Sequence, residues 1–143
     1  MNIRMELSRI LIRELTDYQL IELREVAEPG APDPEQPRSF PIVIGLPEAQ
    51  AIERRLKGLP LSRPQTHDLL ASVIEELGGV LERVTVTHLA EQTFFAELLV
   101  RRHDGTEARI DSRPSDAIAL GIAANTPIYV AEQVIDSATR DEV

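Results

Sequence analysis

The sequence predicts a single α+β domain in which a mainly antiparallel sheet is covered by about three helices. The length of 143 residues suits one domain. Alternation of apolar and charged residues in the first third indicates strands, and helical periodicity and segments rich in β-branched residues follow. We assign residues 1–131 to this domain and residues 132–143 to an acidic C-terminal tail.

Strands are expected first, in the segments ELSRILIREL and DYQLIELREV, where the alternation is typical of half-buried β-structure. Residues 28–37 contain four prolines and a glycine. Neither a helix nor a strand ladder accommodates that composition, so this segment is predicted as a loop. A short apolar strand follows over residues 40–44 and ends at Gly45.

Two helices are predicted next. The first covers residues 47–57, because Pro47 suits a first helical turn and Gly58 suits a helix end. The second has Thr66 as its expected cap and ends at Gly78. A solvated face of the first helix is expected to carry Arg54, Arg55 and Lys57. An apolar stripe of the second is formed by Leu69, Leu70, Val73, Ile74 and Leu77.

The segments GVLERVTVTHLA, TFFAELLVRR and TEARID predict a three-stranded antiparallel meander. A third helix is predicted from Pro114 to about Ala124. It is apolar on nearly every face, which is typical of a buried helix. PIYV predicts a last short strand, and AEQVIDSATRDEV a weak helix that continues into the acidic tail.

Composition excludes several classes of protein. The chain has no cysteine, which excludes a disulfide framework and thiolate metal sites. It has no signal-peptide pattern and no apolar run near the roughly 18 residues of a membrane helix, so we expect a cytoplasmic protein without membrane contact. The net charge of −9 repels polyanions. Any binding of nucleic acid must therefore depend on a local cationic site.

Two predicted helix starts share a pattern of polar residues. RPQTHD at 63–68 and RPSD at 113–116 both contain Arg-Pro, then a hydroxyl residue and an aspartate. If the two starts converge, Arg63 and Arg113 could bind phosphate oxygens while helix N–H groups assist. His67 could then act as a general base. In a structural alternative, which stays open, Asp116 only stabilises the positive end of its helix.

Through these residues the chain resembles the bifunctional nuclease family over about residues 38–131. The resemblance rests on FPIVIGLPEAQAI, RPQTHDLL, RVTVTHL with TFFAELLV, and above all DSRPSDAIAL with NTPIYV. It implies a small α+β protein with DNase and RNase activity, whose substrates are DNA and RNA. It also suggests self-association, as a dimer or trimer. The chain departs from the family pattern in a longer proline-rich loop and at Val43, Gln92 and Gly121.

We therefore predict a nuclease that hydrolyses phosphodiester bonds of DNA and RNA with little sequence preference. The predicted catalytic residues are Glu48, His67, Asp68, Asp111 and Asp116. The predicted phosphate-binding residues are Arg63, Arg113 and Ser115. Asp68, Asp111 and Asp116 are the candidate ligands of Mg²⁺ or Mn²⁺. The alternative is a non-catalytic oligomeric module whose ionic cluster is structural or binds a small anionic ligand.

Overall fold

A mixed sheet of seven strands forms the centre of the molecule in a computed structural model that describes residues 1–13 and 15–140. The strands are β1 Asn2–Leu11, β2 Gln19–Glu25, β3 Ser39–Ile44, β4 Val80–Ala90, β5 Thr93–Arg101, β6 Glu107–Ser112 and β7 Ile128–Ala131. The helices are α1 Leu46–Lys57, α2 Thr66–Glu76, α3 Pro114–Ala123 and α4 Glu132–Arg140. The α+β class predicted from the sequence is confirmed.

The strand order is β3-β2-β1-β7-β4-β5-β6, which leaves β3 and β6 at the two edges. The pair β4–β7 is parallel, and the other five neighbouring pairs are antiparallel. The meander β4-β5-β6 agrees with the sequence pattern. Residues 28–37 form the connection between β2 and β3, as their proline content predicts.

The helix α3 lies at the centre of the core. Its residues 117–121 are buried, and it packs against α1, α2, β4 and β5. The sequence predicted this position because the helix carries no polar face. Since β6 ends at Ser112 and Arg113 is the extended N-cap of α3, the start of this helix emerges at the edge of the core.

The helix α2 differs from expectation in its burial and its cap. Gln65, and not Thr66, is the N-cap, and Gln65 N–H donates a hydrogen bond to Asp68 Oδ2 at 3.0 Å. No residue of α2 is buried. Most of the predicted stripe faces away from the core, because α2 packs against the core through Ala71 and Ile74. The exposed members are Leu69, Leu70, Val73 and Leu77.

Residues 132–140, which we assigned to an acidic tail, form α4 and pack on the sheet. Val134 and Ile135 are buried in the main core, and Ala138 packs against it. These three positions lie on one side of a helix, so burial of that side holds α4 against β3 and β4. Residues 141–143 lie outside the described part of the chain. No helix in residues 1–13 and 15–140 is long and apolar enough to cross a membrane.

Candidate active site

Four charged or titratable side chains from three separate segments meet at the start of α3. Glu48 lies in the first turn of α1, His67 in the first turn of α2 and Asp116 in the first turn of α3, which Arg113 precedes. His67 Nε2 lies 3.0 Å from Asp116 Oδ1. Arg113 Nη1 donates to Glu48 Oε1 at 3.0 Å. We call these four residues the ionic cluster.

Arg113 binds Asp116 through two parallel hydrogen bonds. Its Nε donates to Oδ2 at 2.9 Å and its Nη2 donates to Oδ1 at 3.1 Å. Hydrogen bonds to Asp116 and then to Glu48 raise the pKa of the guanidinium above its usual value. Its side chain is still 62% exposed. Because a guanidinium has five N–H donors and these contacts use three, Arg113 can still donate to an anion.

Asp116 is held as a carboxylate. Burial alone would raise its pKa, but hydrogen bonds from Arg113 and His67 outweigh burial and lower the pKa below its usual value. An ionised Asp116 accepts hydrogen bonds only, so the neutral imidazole of His67 carries its proton on Nε2. The Nδ1 atom of His67 then holds the lone pair that can accept a proton.

A cleft of about 370 Å³ opens beside the ionic cluster. Its polar wall includes Glu48, Arg113 and Ser115, and its apolar wall includes Phe94 and residues 41–44 of β3. Ser115 is buried in the first turn of α3, so it lies at the base of this wall. Clefts of this size, apolar with a few convergent polar groups, are typical ligand sites.

Gly45 leaves the space that Glu48 occupies. A Cβ atom on Gly45 would lie 2.5 Å from Glu48 Oε2, which is closer than atoms can approach. Its backbone has φ −79° and ψ 167°, a conformation open to any residue, so glycine matters here only because a Cβ atom would displace the Glu48 carboxylate. From the sequence, Gly45 was expected only to end a strand.

Asp68 turns away from the ionic cluster and binds Arg55. Arg55 Nη2 donates to Asp68 Oδ2 at 3.1 Å, and Arg55 Nη1 donates to the carbonyl of Ala51. Arg55 was expected on a solvated face, but its side chain is only 5% exposed. It follows Ile52 by three positions and so shares the buried face of α1. That spacing was the signal available in the sequence, and these contacts join α1 to α2.

In the described residues, no hydrogen bond or ion pair joins the predicted site residues Asp111 and Arg63 to the ionic cluster. Asp111 is exposed on the edge strand β6, where it lies opposite Glu97 and lines a second cleft with His88. Arg63 is exposed in the connection between α1 and α2. Within residues 1–13 and 15–140, no three His, Asp or Glu side chains form a group that could hold a metal ion. Asp68, Asp111 and Asp116 therefore do not form a shared cation site.

Comparison with known families gives one match that covers most of the chain. A family model described as "Bifunctional nuclease domain" matches residues 32–142. The match includes every residue of the ionic cluster and extends through α4.

Two groups of relatives are similar to the chain. An uncharacterized protein of Mycobacterium tuberculosis is 40% identical over 101 residues, which cover 71% of this chain and 59% of that protein. "Bifunctional nuclease 2" of Oryza sativa subsp. japonica is 26% identical over 93 residues, which cover 64% of this chain and 29% of the rice protein. "Bifunctional nuclease" of Oryza minuta is 22% identical over 97 residues, covering 66% and 29%. The chain thus spans less than two thirds of the length of these relatives.

Proposed function

The chain belongs to the bifunctional nuclease domain family, and on this premise we propose that it is a nuclease that hydrolyses phosphodiester bonds of DNA and RNA. The observation that supports the proposal most is the ionic cluster, in which His67, Asp116 and Arg113 form a continuous chain of hydrogen bonds. Of these three residues, Arg113 lines the open cleft. A general base, a carboxylate that orients it and an exposed cation can together catalyse the hydrolysis of a phosphodiester bond.

Arg113 is the proposed phosphate-binding group. Its remaining N–H donors can bind the non-bridging oxygens of the scissile phosphate, and the N–H groups in the first turn of α3 lack intrahelical partners. Asp116 binds Nε and Nη2 of the guanidinium and Glu48 binds Nη1, which fixes its direction while the side chain stays 62% exposed. An Arg that is already oriented loses little side-chain entropy when the phosphate binds. Arg63 is exposed and is proposed to bind a neighbouring phosphate of the substrate.

His67 is the proposed general base. Its Nδ1 accepts a proton from water as the water oxygen forms a bond to phosphorus, and the bond from phosphorus to the leaving sugar oxygen breaks. The leaving oxygen takes a proton from solvent. Asp116 holds the reactive tautomer of His67 and stabilises the imidazolium that forms, so its proposed role is positional. Because this scheme uses water and no ribose hydroxyl, it applies to DNA and RNA alike.

No step of this scheme uses a metal ion. The three carboxylates expected to hold Mg²⁺ or Mn²⁺ do not form a shared ion site in the described residues, since Asp68 binds Arg55 and Asp111 lines another cleft. A divalent cation would need oxygen ligands from the substrate phosphate together with one or two carboxylates. Cleavage measured with EDTA, and again after Mg²⁺ or Mn²⁺ is added back, determines whether catalysis needs such a cation.

The proposal is tested by cleavage of fluorescent DNA and RNA oligonucleotides. His67→Ala and Asp116→Asn should each lower the rate by about a hundredfold or more, the range for loss of a general base or its orienting partner. Every variant is purified identically, so a contaminating nuclease would cleave equally in all samples. Circular dichroism checks the fold. Equal cleavage by the folded variants and the parent chain would refute the assignment.

A second function is favoured by the same hydrogen bonds. Arg113 donates hydrogen bonds to Asp116 and to Glu48, and such bonds would also hold α1 and α3 together in a purely structural role. In that case the chain is a non-catalytic binding module. Its parent form would not cleave nucleic acid above the level of a mock purification, and Asp116→Asn would act on thermal stability alone.

A further inference from the structure

We infer that two copies of this chain associate through α2 and the edge strand β6, with the two β6 strands antiparallel and Ile110 at the two-fold axis. This inference is independent of the proposed nuclease activity. An apolar surface that the fold leaves uncovered and the pattern of charges along β6 support it.

The outer face of α2 carries apolar side chains that no element of the described residues covers. Leu69, Val73 and Leu77 follow one another at helical spacing, and Leu70 lies beside them. All four are exposed, Leu77 by 76%. An amphipathic helix normally buries its apolar stripe, and large exposed apolar patches on soluble proteins mark interaction surfaces.

The strand β6 adjoins this surface. Ile110 lies opposite Leu98 and Ala108 lies opposite Val100, so their side chains point to the face of the sheet that carries the helices. Ala108 and Ile110 line one cleft together with Val73 and Leu77 of α2. Since β6 is the last strand of the sheet, its outer N–H and C=O groups face away from β5 and can pair with another strand.

The sequence of β6 favours one register with a second copy. If the helices of both copies lie on the same side of the joined sheet, the two-fold axis passes through one residue of β6. That residue then lies opposite the same residue of the second copy. If the axis passes through Arg109, the two copies of Arg109 lie opposite each other, and if it passes through Asp111, the two copies of Asp111 do. Both registers are unfavourable because like charges then face each other. A centre at Ala108 pairs only residues 107–109 of the strand.

A centre at Ile110 pairs residues 108–112 and satisfies both faces. On the helix face, Ile110 lies against Ile110 of the second copy, next to the two α2 surfaces. On the other face, Arg109, which binds Glu97 of its own chain at 2.8 Å, also lies opposite Asp111 of the second copy, and this occurs twice. Charge complementarity therefore identifies a second copy as the occupant, and Asp111 is assigned to the interface between copies.

Light scattering after size-exclusion chromatography, over a wide range of protein concentration, tests the inference. The parent chain should have twice the mass of one chain. Ile110→Lys and Val73→Lys should each raise the dissociation constant by about tenfold or more, because each change occurs twice in the dimer. The matched control is Leu56→Lys on α1, which changes a side chain of similar exposure outside this surface and should leave the mass unchanged.

A charge exchange tests the register itself. Arg109→Asp alone should weaken association, because the new carboxylate of each copy then lies opposite Asp111 of the other copy. Arg109→Asp combined with Asp111→Arg in one chain should recover most of the loss, because the exchanged charges again face each other. A monomeric parent chain at every concentration would overturn the inference. If Ile110→Lys and Val73→Lys leave the dissociation constant of the dimer unchanged, this interface is wrong. If Arg109→Asp weakens association and the double variant does not restore it, the register is wrong.

Discussion

At the scale of the residue, Asp116 connects the two helix starts that the sequence analysis singled out. The repeated Arg, Pro, hydroxyl and Asp pattern made residues 63–68 and 113–116 candidates, and His67 does meet Asp116. The sequence could not show that Asp68 faces Arg55, because no local pattern links residues thirteen positions apart on different helices. The sequence also could not show that Asp111 is not part of the ionic cluster. A strand residue and a helix residue only five positions apart can face opposite sides of a sheet.

The lowered pKa of Asp116 predicts a pH-dependent contribution to stability. A carboxylate whose folded-state pKa lies below its unfolded value stabilises the fold above the unfolded pKa of about 3.9 and loses this effect as pH falls through the folded pKa. Asp116→Asn should therefore lower the free energy of unfolding at neutral pH by about 1 kcal/mol, a modest value because Asp116 is 37% exposed and solvent screens its contacts.

Urea unfolding of the two chains at about pH 7 and about pH 3 measures this difference. The gap in stability should shrink at the lower pH, because Asp116 of the parent chain is then increasingly protonated. Asp33→Asn in the proline-rich loop removes an exposed carboxylate far from the ionic cluster in the chain and is the control. A gap that is equal at both pH values would show that Asp116 does not act through its charge.

At the scale of the element, helix positions could be predicted and their burial only in part. The apolar residues of α3 occupy every side of the helix, so any packing buries some of them, and the prediction held. The stripe on α2 has the same periodicity as a buried helix, but residues 117–121 of α3 already occupy the centre of the core. Periodicity identifies an amphipathic helix and does not say whether its apolar side meets the same chain or another one.

The junction of β3 and α1 carries a prediction about Glu48. Gly45→Ala puts a Cβ where Glu48 Oε2 now lies, so the Glu48 carboxylate must move away from Arg113. Cleavage should fall by about 10-fold to 100-fold, as for an oriented group displaced by roughly 1 Å. Stability should change by less than about 1 kcal/mol, since alanine fits the backbone conformation of Gly45.

A double-mutant cycle shows whether Gly45 acts through Glu48. If it does, Glu48→Ala alone and Glu48→Ala combined with Gly45→Ala should cleave at the same rate, because the second change has no carboxylate left to displace. Additive losses would instead indicate that Gly45 affects cleavage through another contact, such as the shape of the neighbouring cleft.

At the scale of the whole molecule, the charge of −9 separates this chain from proteins that follow the phosphate backbone with a basic track. Many of its arginines are paired with acids: Arg9, Arg38, Arg55, Arg101, Arg109 and Arg113 all take part in ion pairs. Acidic residues, 24 against 15 basic ones, also outnumber the cations that could contact a nucleic acid. Binding should be weak and local, directed to the scissile phosphate and the phosphates next to it.

The salt dependence of binding measures how many cations act. If Arg113 and Arg63 are the principal contacts, about two phosphates are neutralised. A plot of the logarithm of the binding constant for single-stranded DNA against the logarithm of salt concentration should then have a slope of about −1.4. Filter binding with the His67→Ala chain measures this slope without cleavage. Arg63→Ala should reduce its magnitude by about 0.7, and Arg9→Ala, at an arginine paired with Glu22 on another strand, should leave it unchanged. A slope several times steeper, insensitive to Arg63, would mean that an extended surface binds the strand in spite of the net charge.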